Sequence, residues 1–416
     1  MIRSTLETTT ANVRDPDAAS FYSTDRTDRI CVVYQRLTNT GSALVEAAVY
    51  DPSAGTWSTA TVYTNSTIPT DGYHATVAYN RVDGYLYCCH WIYDNAADLA
   101  QIATHRSKDG AAWQAVSEYA LDVGVDISGT VGSGAAGYEV GRLRMAFSGG
   151  QCLLMGHVIK NDNDGDPLRR DWAAQFASQS RGARFTTVSI DQVVATIGGV
   201  ASAVTSFSHH SVIVVDGTLT VVFPSAGNQA VPDYSVFYTV PLPSASSPFH
   251  NRAAGVLNDS VFVFSGESGS GITGPAGRVL QIGTYAVTDG DGSAWVGEDG
   301  AAYWAGRLLD PASVVQGAAF MMISADGFRT SGGIQYAGDG GTWSVTGADA
   351  SKGSVLYTGD PSTYLTDFVG VNHRGRQVLI GISETDVTTA KTLSATFLGG
   401  ATTVTLPGRI AYPAPY

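Results

Sequence analysis

The sequence is short of glutamate, of helical periodicity and of positive charge. Of its 37 acidic residues only seven are Glu: Glu7, Glu46, Glu118, Glu139, Glu267, Glu298 and Glu384. The others are Asp, whose short carboxylate bonds nearby backbone and favours turns over helix interiors. Apolar residues hardly ever recur at helical spacing, so an α-helical fold is excluded. No run approaches the ~20 apolar residues of a membrane-spanning helix, so no membrane insertion is expected. With 24 basic residues and a net charge of −13, the chain is not expected to bind nucleic acid or an anionic membrane face, since both need a basic surface. The start, Met1-Ile2-Arg3-Ser4-Thr5, has no apolar core of a signal peptide. Synthesis in the cytoplasm is therefore expected, with any exit by a route such as host lysis.

Cysteine is also scarce. Cys31, Cys88, Cys89 and Cys152 lie in apolar, strand-like runs, and none has C-x-x-C spacing. Adjacent Cys88 and Cys89 would point to opposite faces of a strand. All four are expected to be small buried hydrophobes, which argues against a disulfide scaffold.

What the chain has in quantity is apolar material, 44% of residues, and 48 glycines. Short runs rich in Val, Tyr, Phe and Thr alternate with Gly and Asp turns, which predicts β-strands joined by hairpins. The clearest case runs from Ala75 to Tyr79, turns at Val82-Asp83-Gly84 and returns from Tyr85 to Trp91. Asp-Gly suits such a turn because glycine takes positive φ without steric cost. The unit recurs around Ser148-Gly149-Gly150 and Asp216-Gly217, and its turn glycines Gly84, Gly150 and Gly217 are 66 and 67 residues apart.

A second rhythm is a small-residue turn followed by an aromatic. It ends at Trp57, Trp113, Phe185, Phe249, Trp295 and Trp343, which averages about 57 residues per unit. Repeats of this kind are the signature of a β-propeller. The expectation is one all-β domain over residues 1–416 with about seven four-stranded blades, and six blades as the alternative. The approximate blades are 15–65, 66–125, 126–195, 196–250, 251–296, 297–350 and 351–416. Each aromatic after an outer turn should wedge between blades, and blade centres should be apolar on both faces.

Ser107-Lys108-Asp109-Gly110-Ala111-Ala112-Trp113 resembles a degenerate Asp-box, the Ser-x-Asp-x-Gly-x-Thr-Trp turn of sialidases and related propellers. Glycine directly follows the aspartate here, and Ala112 replaces the threonine. In that family the turn is structural, so Ser107, Asp109, Gly110 and Trp113 imply architecture. The resemblance extends to about a tenth of the chain, these turns and the blade rhythm.

A sialidase-like site would need an arginine cluster, a Tyr–Glu pair and an acid Asp. The family's Phe/Tyr-Arg-Ile-Pro segment is missing, and Val13-Arg14-Asp15-Pro16 stands nearest to it. That segment also resembles the Asp-Pro on the first strand of five-bladed glycosidases, where the Asp lies at the ring centre. Glycoside hydrolysis ordinarily uses two carboxylates at a set separation. Arg14, Asp15, Glu139 and Glu267 are therefore the catalytic candidates, against the plainer reading of Asp15 as a turn residue before proline.

Other chemistry is sparse. Asn161-Asp162-Asn163-Asp164-Gly165-Asp166 places oxygen ligands at alternate positions, making Asp162, Asp164 and Asp166 candidates for calcium. It lacks the downstream Glu and flanking helices of an EF-hand, and a polar loop tip is the simpler reading. No other cofactor is expected. His209 and His210 are adjacent and face opposite ways on a strand, and the other histidines are scattered. For binding, Tyr73, Trp91, Tyr138, Trp172 and Trp304 are loop-aromatic candidates, each in competition with a place in the core. The leading functional expectation is a non-catalytic binding or assembly propeller, such as a virion tail, fibre or capsid-surface protein. Its partners would be a host glycan or neighbouring subunits. The alternative is a sialidase-like glycoside hydrolase.

Overall fold

The computed structural model describes residues 2–9, 12–37, 43–65, 74–94, 99–120, 138–140, 142–148, 150–160, 168–177, 186–190, 211–215, 218–225, 234–241, 261–265, 279–281, 286–298, 300–309, 316–324, 334–337, 364–384 and 391–397. Every regular element among them is a β-strand.

The first strand, β1 (Ile2–Thr9), belongs to the last sheet. The first sheet follows as β2 (Asn12–Tyr22), β3 (Asp28–Leu37), β4 (Ala43–Asp51) and β5 (Thr56–Asn65). The second is β6 (Thr76–Asn80), β7 (Tyr85–Asp94), β8 (Leu99–Ser107) and β9 (Gln114–Ala120). In the third, β10 (Tyr138–Val140) and β11 (Arg144–Ser148) both pair with β12 (Gln151–Lys160), followed by β13 (Leu168–Ala177) and β14 (Thr186–Ile190). The fourth is β15 (Ser211–Val215), β16 (Thr218–Ser225), β17 (Tyr234–Pro241), β18 (Val261–Ser265) and β19 (Val279–Gln281), the last pair parallel. The fifth is β20 (Ala286–Val296), β21 (Ala302–Leu309), β22 (Gln316–Ser324) and β23 (Ile334–Ala337). In the sixth, β24 (Tyr364–His373), β25 (Arg376–Glu384) and β26 (Lys391–Phe397) are joined on the outside by β1.

Each sheet thus grows outward from an inner strand, through antiparallel neighbours everywhere except the parallel pair β18–β19. The inner strands pack on one another in sequence: β2 on β6, β6 on β11, β11 on β15, β15 on β20, β20 on β24, and β24 on β2. That order is the propeller arrangement expected from the repeats. The described residues form six sheets, where about seven blades were expected. Six blades was the stated alternative, and Trp295, read as an outer-turn aromatic, lies inside the inner strand β20. The hairpin glycines kept the truer rhythm, since Gly84 and Gly150 both mark inner hairpins, between β6 and β7 and between β11 and β12.

Both faces of the first sheet are buried, and β3 shows how. Ile30, Val32 and Tyr34 join a core with Val369, Val371, Val378 and Ile380 of the sixth sheet. Their neighbours Cys31 and Val33 join a core with Val77, Leu86 and Cys88 of the second. A period of two therefore fills two interfaces from one strand. Fully burying each such side chain contributes about 1.5–3 kcal/mol. Two of the outer-turn aromatics wedge as expected, Trp57 against the first of these cores and Trp113 against the second. All four cysteines are buried and free. Burial pushes their thiols up, Cys89 to about 12, which makes them unreactive packing residues.

Candidate functional site

Three side chains converge where the first three inner strands begin. Asp15 lies near the start of β2, where the register against β3 shifts between Arg14 and Asp17. His74 stands two residues before β6 and Arg142 two residues before β11. Arg142 donates to Asp15 Oδ1 from Nε at 3.0 Å, and its Nη2 lies 2.8 Å from the same oxygen. The Nδ1 of His74 lies 2.8 Å from the other oxygen, Oδ2. Asp15 is 7% exposed and Arg142 3%, so the pair is shielded from solvent screening. The His74 side chain keeps 14% exposure.

The backbone here is strained. Asp15 has φ of 51° and His74 has φ of 43°. Asp and His enter the left-handed region more readily than most side chains, but it still costs about 1 kcal/mol or more at each. The fold holds both through their neighbours. Asp17 Oδ2 accepts hydrogen bonds from Thr76 Oγ1 at 2.6 Å and from the Val77 amide at 3.0 Å, which pins β2 to β6. Two residues beyond Arg142, Arg144 brings a second buried guanidinium, with Nη1 donating to the Leu143 carbonyl at 3.0 Å.

Of the four catalytic candidates, Asp15 joins this cluster. Arg14 is half-buried opposite Gln35 in the β2–β3 register and makes none of these contacts. Glu139 lies on β10 opposite Ile159, and Glu267 lies outside the described residues. His74 and Arg142 escaped notice because 59 and 127 residues separate them from Asp15. The available signal was positional, because each stands at the entry of an inner strand.

Four of the five aromatic candidates lie on described strands. Trp91 is a β7 residue only 2% exposed, so it is core and not a loop aromatic. Trp172 lies on β13, between β12 and β14, opposite Gly156 and Ser189. Trp304 lies on β21, between β20 and β22, opposite Ala294 and Met322. Both are mid-sheet positions, because their long alternating runs build interior strands. Tyr138 lies on β10 opposite Lys160. Tyr73 and the calcium candidates Asp162, Asp164 and Asp166 lie outside the described residues. Among the described residues no group of three or more His, Cys, Asp and Glu could hold a metal ion.

The turn after β8 is held together by Asp109. Its Oδ1 accepts the amides of Ala111 and Ala112, each at 2.9 Å, and the Ser107 hydroxyl donates to it at 2.9 Å. These bonds hold the carboxyl below its usual range against the upward push of burial. Ser107 Oγ in turn accepts the Gly110 amide at 2.9 Å, and the indole of Trp113 donates to the Gly110 carbonyl at 2.9 Å.

Comparison with known proteins bears on the fold. No protein-family model matches the chain, and no curated protein matches it. Solved structures do resemble it. One is the GH93 α-L-arabinofuranosidase of Fusarium graminearum in complex with arabinobiose, with a TM-score of 0.52 at 10% identity over 94% of this chain and 95% of that one. Another is the α-L-arabinanase of Penicillium chrysogenum complexed with arabinobiose, at 0.52 and 11% over 94% and 98%. A third is the Trypanosoma rangeli sialidase in complex with the inhibitor DANA, at 0.50 and 9% over 92% of this chain and 55% of that one. At such identities the likeness is one of fold, and the chain is an all-β protein of the β-propeller kind found in these glycosidases.

Proposed function

We propose that this chain is a glycoside hydrolase whose site lies at the ring end built by Asp15, His74 and Arg142. The observation that carries the proposal is their convergence from three successive sheets, with two strained residues facing each other. Strain of this kind persists where the surroundings over-determine it, and it concentrates at functional sites. Fold-level analogy supports the activity class, since the solved structures named above are an arabinofuranosidase, an arabinanase and a sialidase. The Ser107–Trp113 turn supports the Asp-box resemblance and lies away from this cluster in the chain's architecture, as a structural turn should.

The test is a screen of the purified protein on arabino-oligosaccharides, sialosides and uronides, reading product release and retention together. Turnover in the wild type that Asp15→Ala abolishes is the expected result. Retention without turnover overturns hydrolysis in favour of a glycan-binding propeller. Neither turnover nor retention leaves the assembly role as the better account.

A further inference from the structure

We infer that the end of the ring opposite Asp15 docks an acidic protein surface, with Tyr22 and Val82 as the apolar contacts and Arg26, Arg81, Arg374 and Arg376 as the charged ones. This docking goes beyond the glycosidase reading, which concerns the other end of the ring, and stands or falls without it. The inner strands pack side by side, so the turns that follow them gather where those strands finish. Three such turns belong to consecutive sheets: β24–β25 of the sixth, β2–β3 of the first and β6–β7 of the second. They are tied together. The Ser20 hydroxyl donates to the Asn372 carbonyl, the rings of Phe21 and Tyr79 lie 6.2 Å apart, and Asp28 is within electrostatic reach of both Arg374 and Arg81.

Arginine stands in these turns where turn chemistry asks for something else. In the β2–β3 hairpin the Ser23 amide donates to the Thr27 carbonyl at 3.0 Å, and the Arg26 amide donates to the Ser23 carbonyl at 2.8 Å. Arg26 has φ of 61°, at the left-handed position that three-residue loops of this kind give to glycine. In the β24–β25 hairpin His373 pairs with Arg376. Arg374 and Gly375 therefore form a two-residue turn, with φ of 52° and 73°. The first of those positions favours asparagine or glycine. A long side chain is disfavoured at both places, so neither arginine serves its turn. Both are exposed, as are Arg81 and Arg376, and none of the four makes an ion pair among the described residues. Arg29, Arg36 and Arg142, by contrast, are all paired with carboxylates.

The second observation is apolar. Tyr22, at the end of β2, is 54% exposed, and Val82, in the β6–β7 turn, is 66% exposed. These are the large hydrophobic side chains that stand exposed among the described residues, and both lie on the hairpins that carry the arginines. Exposed apolar groups beside tyrosine and arginine make the composition of a protein contact surface. The guanidiniums suit carboxylates, and Val82 suits an apolar side chain, which a polysaccharide does not offer. The net charge of −13 does not oppose such a contact, because exposed charges more than about 10 Å away are largely screened at ordinary salt. Acids nearby are engaged within the fold. Asp25 pairs with Arg29 at 2.8 Å, and Asp83 accepts the Tyr85 amide at 3.0 Å and the Tyr87 hydroxyl at 2.6 Å. Asp28 is half-buried, and Glu298, beside Gly375, bounds the patch on the side of the fifth sheet.

The experiment measures binding of the full chain to three immobilised polyanions: a random copolymer of glutamate and tyrosine, polyglutamate, and polygalacturonate. The copolymer is expected to bind tightest, with an affinity that falls as salt rises. Arg81→Ser combined with Arg374→Asn should weaken it by about tenfold or more. Tyr22→Ser should remove the preference for the copolymer over polyglutamate. Thermal unfolding supplies a readout that a merely structural role would move the other way. Arg374→Asn and Arg26→Gly should hold or raise the unfolding midpoint, because each restores the residue its turn favours, while binding weakens. A midpoint that falls shows that the arginine serves the turn and overturns the proposal. Equal binding of the three polymers overturns it in favour of a surface that reads charge alone, and tighter binding of polygalacturonate overturns it in favour of an acidic glycan. Binding of none of them, or binding that the variants leave unchanged, also overturns it, and the glycosidase reading is untouched by any of these results.

Discussion

The indole of Trp295 covers Gly370 so closely that a Cβ at position 370 would stand 2.0 Å from its Cε3 atom. The contact joins the inner strands of the fifth and sixth sheets. Around it, the Gly370 amide donates to Ser293 Oγ at 3.0 Å, and Trp295 Nε1 donates to Gln377 Oε1 at 2.6 Å. The ring of Trp295 cannot swing aside without breaking its own hydrogen bond. Gly370→Ala should therefore destabilise the protein by about 1–3 kcal/mol as an overpacking change, read as a drop in the urea midpoint. Trp295→Phe in the same background should recover part of the loss, since it removes the bonded indole edge.

Gly110 is a second place where only glycine fits, for two reasons at once. Its φ is +75°, and a Cβ there would lie 2.5 Å from Val49 Cγ2 in the core shared by the first two sheets. Asp109→Ala attacks the same turn differently, by stripping the Ala111 and Ala112 amides of their acceptor. It should cost about 1–2 kcal/mol, and Gly110→Ala should cost more, because strain and overlap add. Chemical denaturation of the two variants side by side checks the order. The reverse order would place the strength of the turn in its hydrogen bonds and not in its packing.

Such local features were legible in the sequence, and the reason is physical. Turn chemistry acts over three or four residues, so Ser107, Asp109 and Trp113 can be read directly. Strand alternation is equally local, and the burial of Cys31, Cys88, Cys89 and Cys152 followed from it. Asp289-Gly290-Asp291-Gly292 misled because its composition matches a turn, whereas β20 accommodates it as a register shift between Val287 and Gly292. The site was half legible. Asp15 announced itself through Asp-Pro on a first strand. His74 and Arg142 become its neighbours only through the order of sheets around the ring, and no local pattern encodes that order.

The seam between the first and second sheets hides a pH dependence. His90 and His105 stack at 5.2 Å between ring centroids, and Tyr63 lies 4.6 Å from His90. Burial, and then the neighbouring His105, push His90 down to about 3, while burial also lowers His105. His373, edge-on to Tyr50 in the seam between the sixth and first sheets, is lowered to about 4 by burial and then by Arg374 and Arg376. In each case the folded state holds the neutral ring more strongly than the unfolded chain does. The unfolded chain therefore takes up protons first as pH falls below about 6.5. Stability should be level above that value and decline steadily towards pH 3–4. Thermal midpoints measured from pH 8 to pH 4 check this. His90→Phe combined with His105→Phe should flatten the slope if the pair contributes as described, and an unchanged slope would assign it to other groups.

The ion pair of Asp15 and Arg142 makes the sharpest structural prediction. Both groups are buried, so removing one partner strands a charge in a poorly solvated place. Arg142→Ala should therefore cost about 3–5 kcal/mol, whereas breaking a comparable exposed pair costs under about 1 kcal/mol. Asp15→Asn removes the opposing charge while keeping an oxygen that can accept. In the Arg142→Ala background it should restore stability, because the stranded carboxylate is then gone. The double variant is expected to be more stable than Arg142→Ala alone, which a two-by-two cycle of denaturation midpoints measures directly. Additive losses across the cycle would mean that the two side chains do not interact in solution, and would remove the geometric basis for placing the site at this end of the ring.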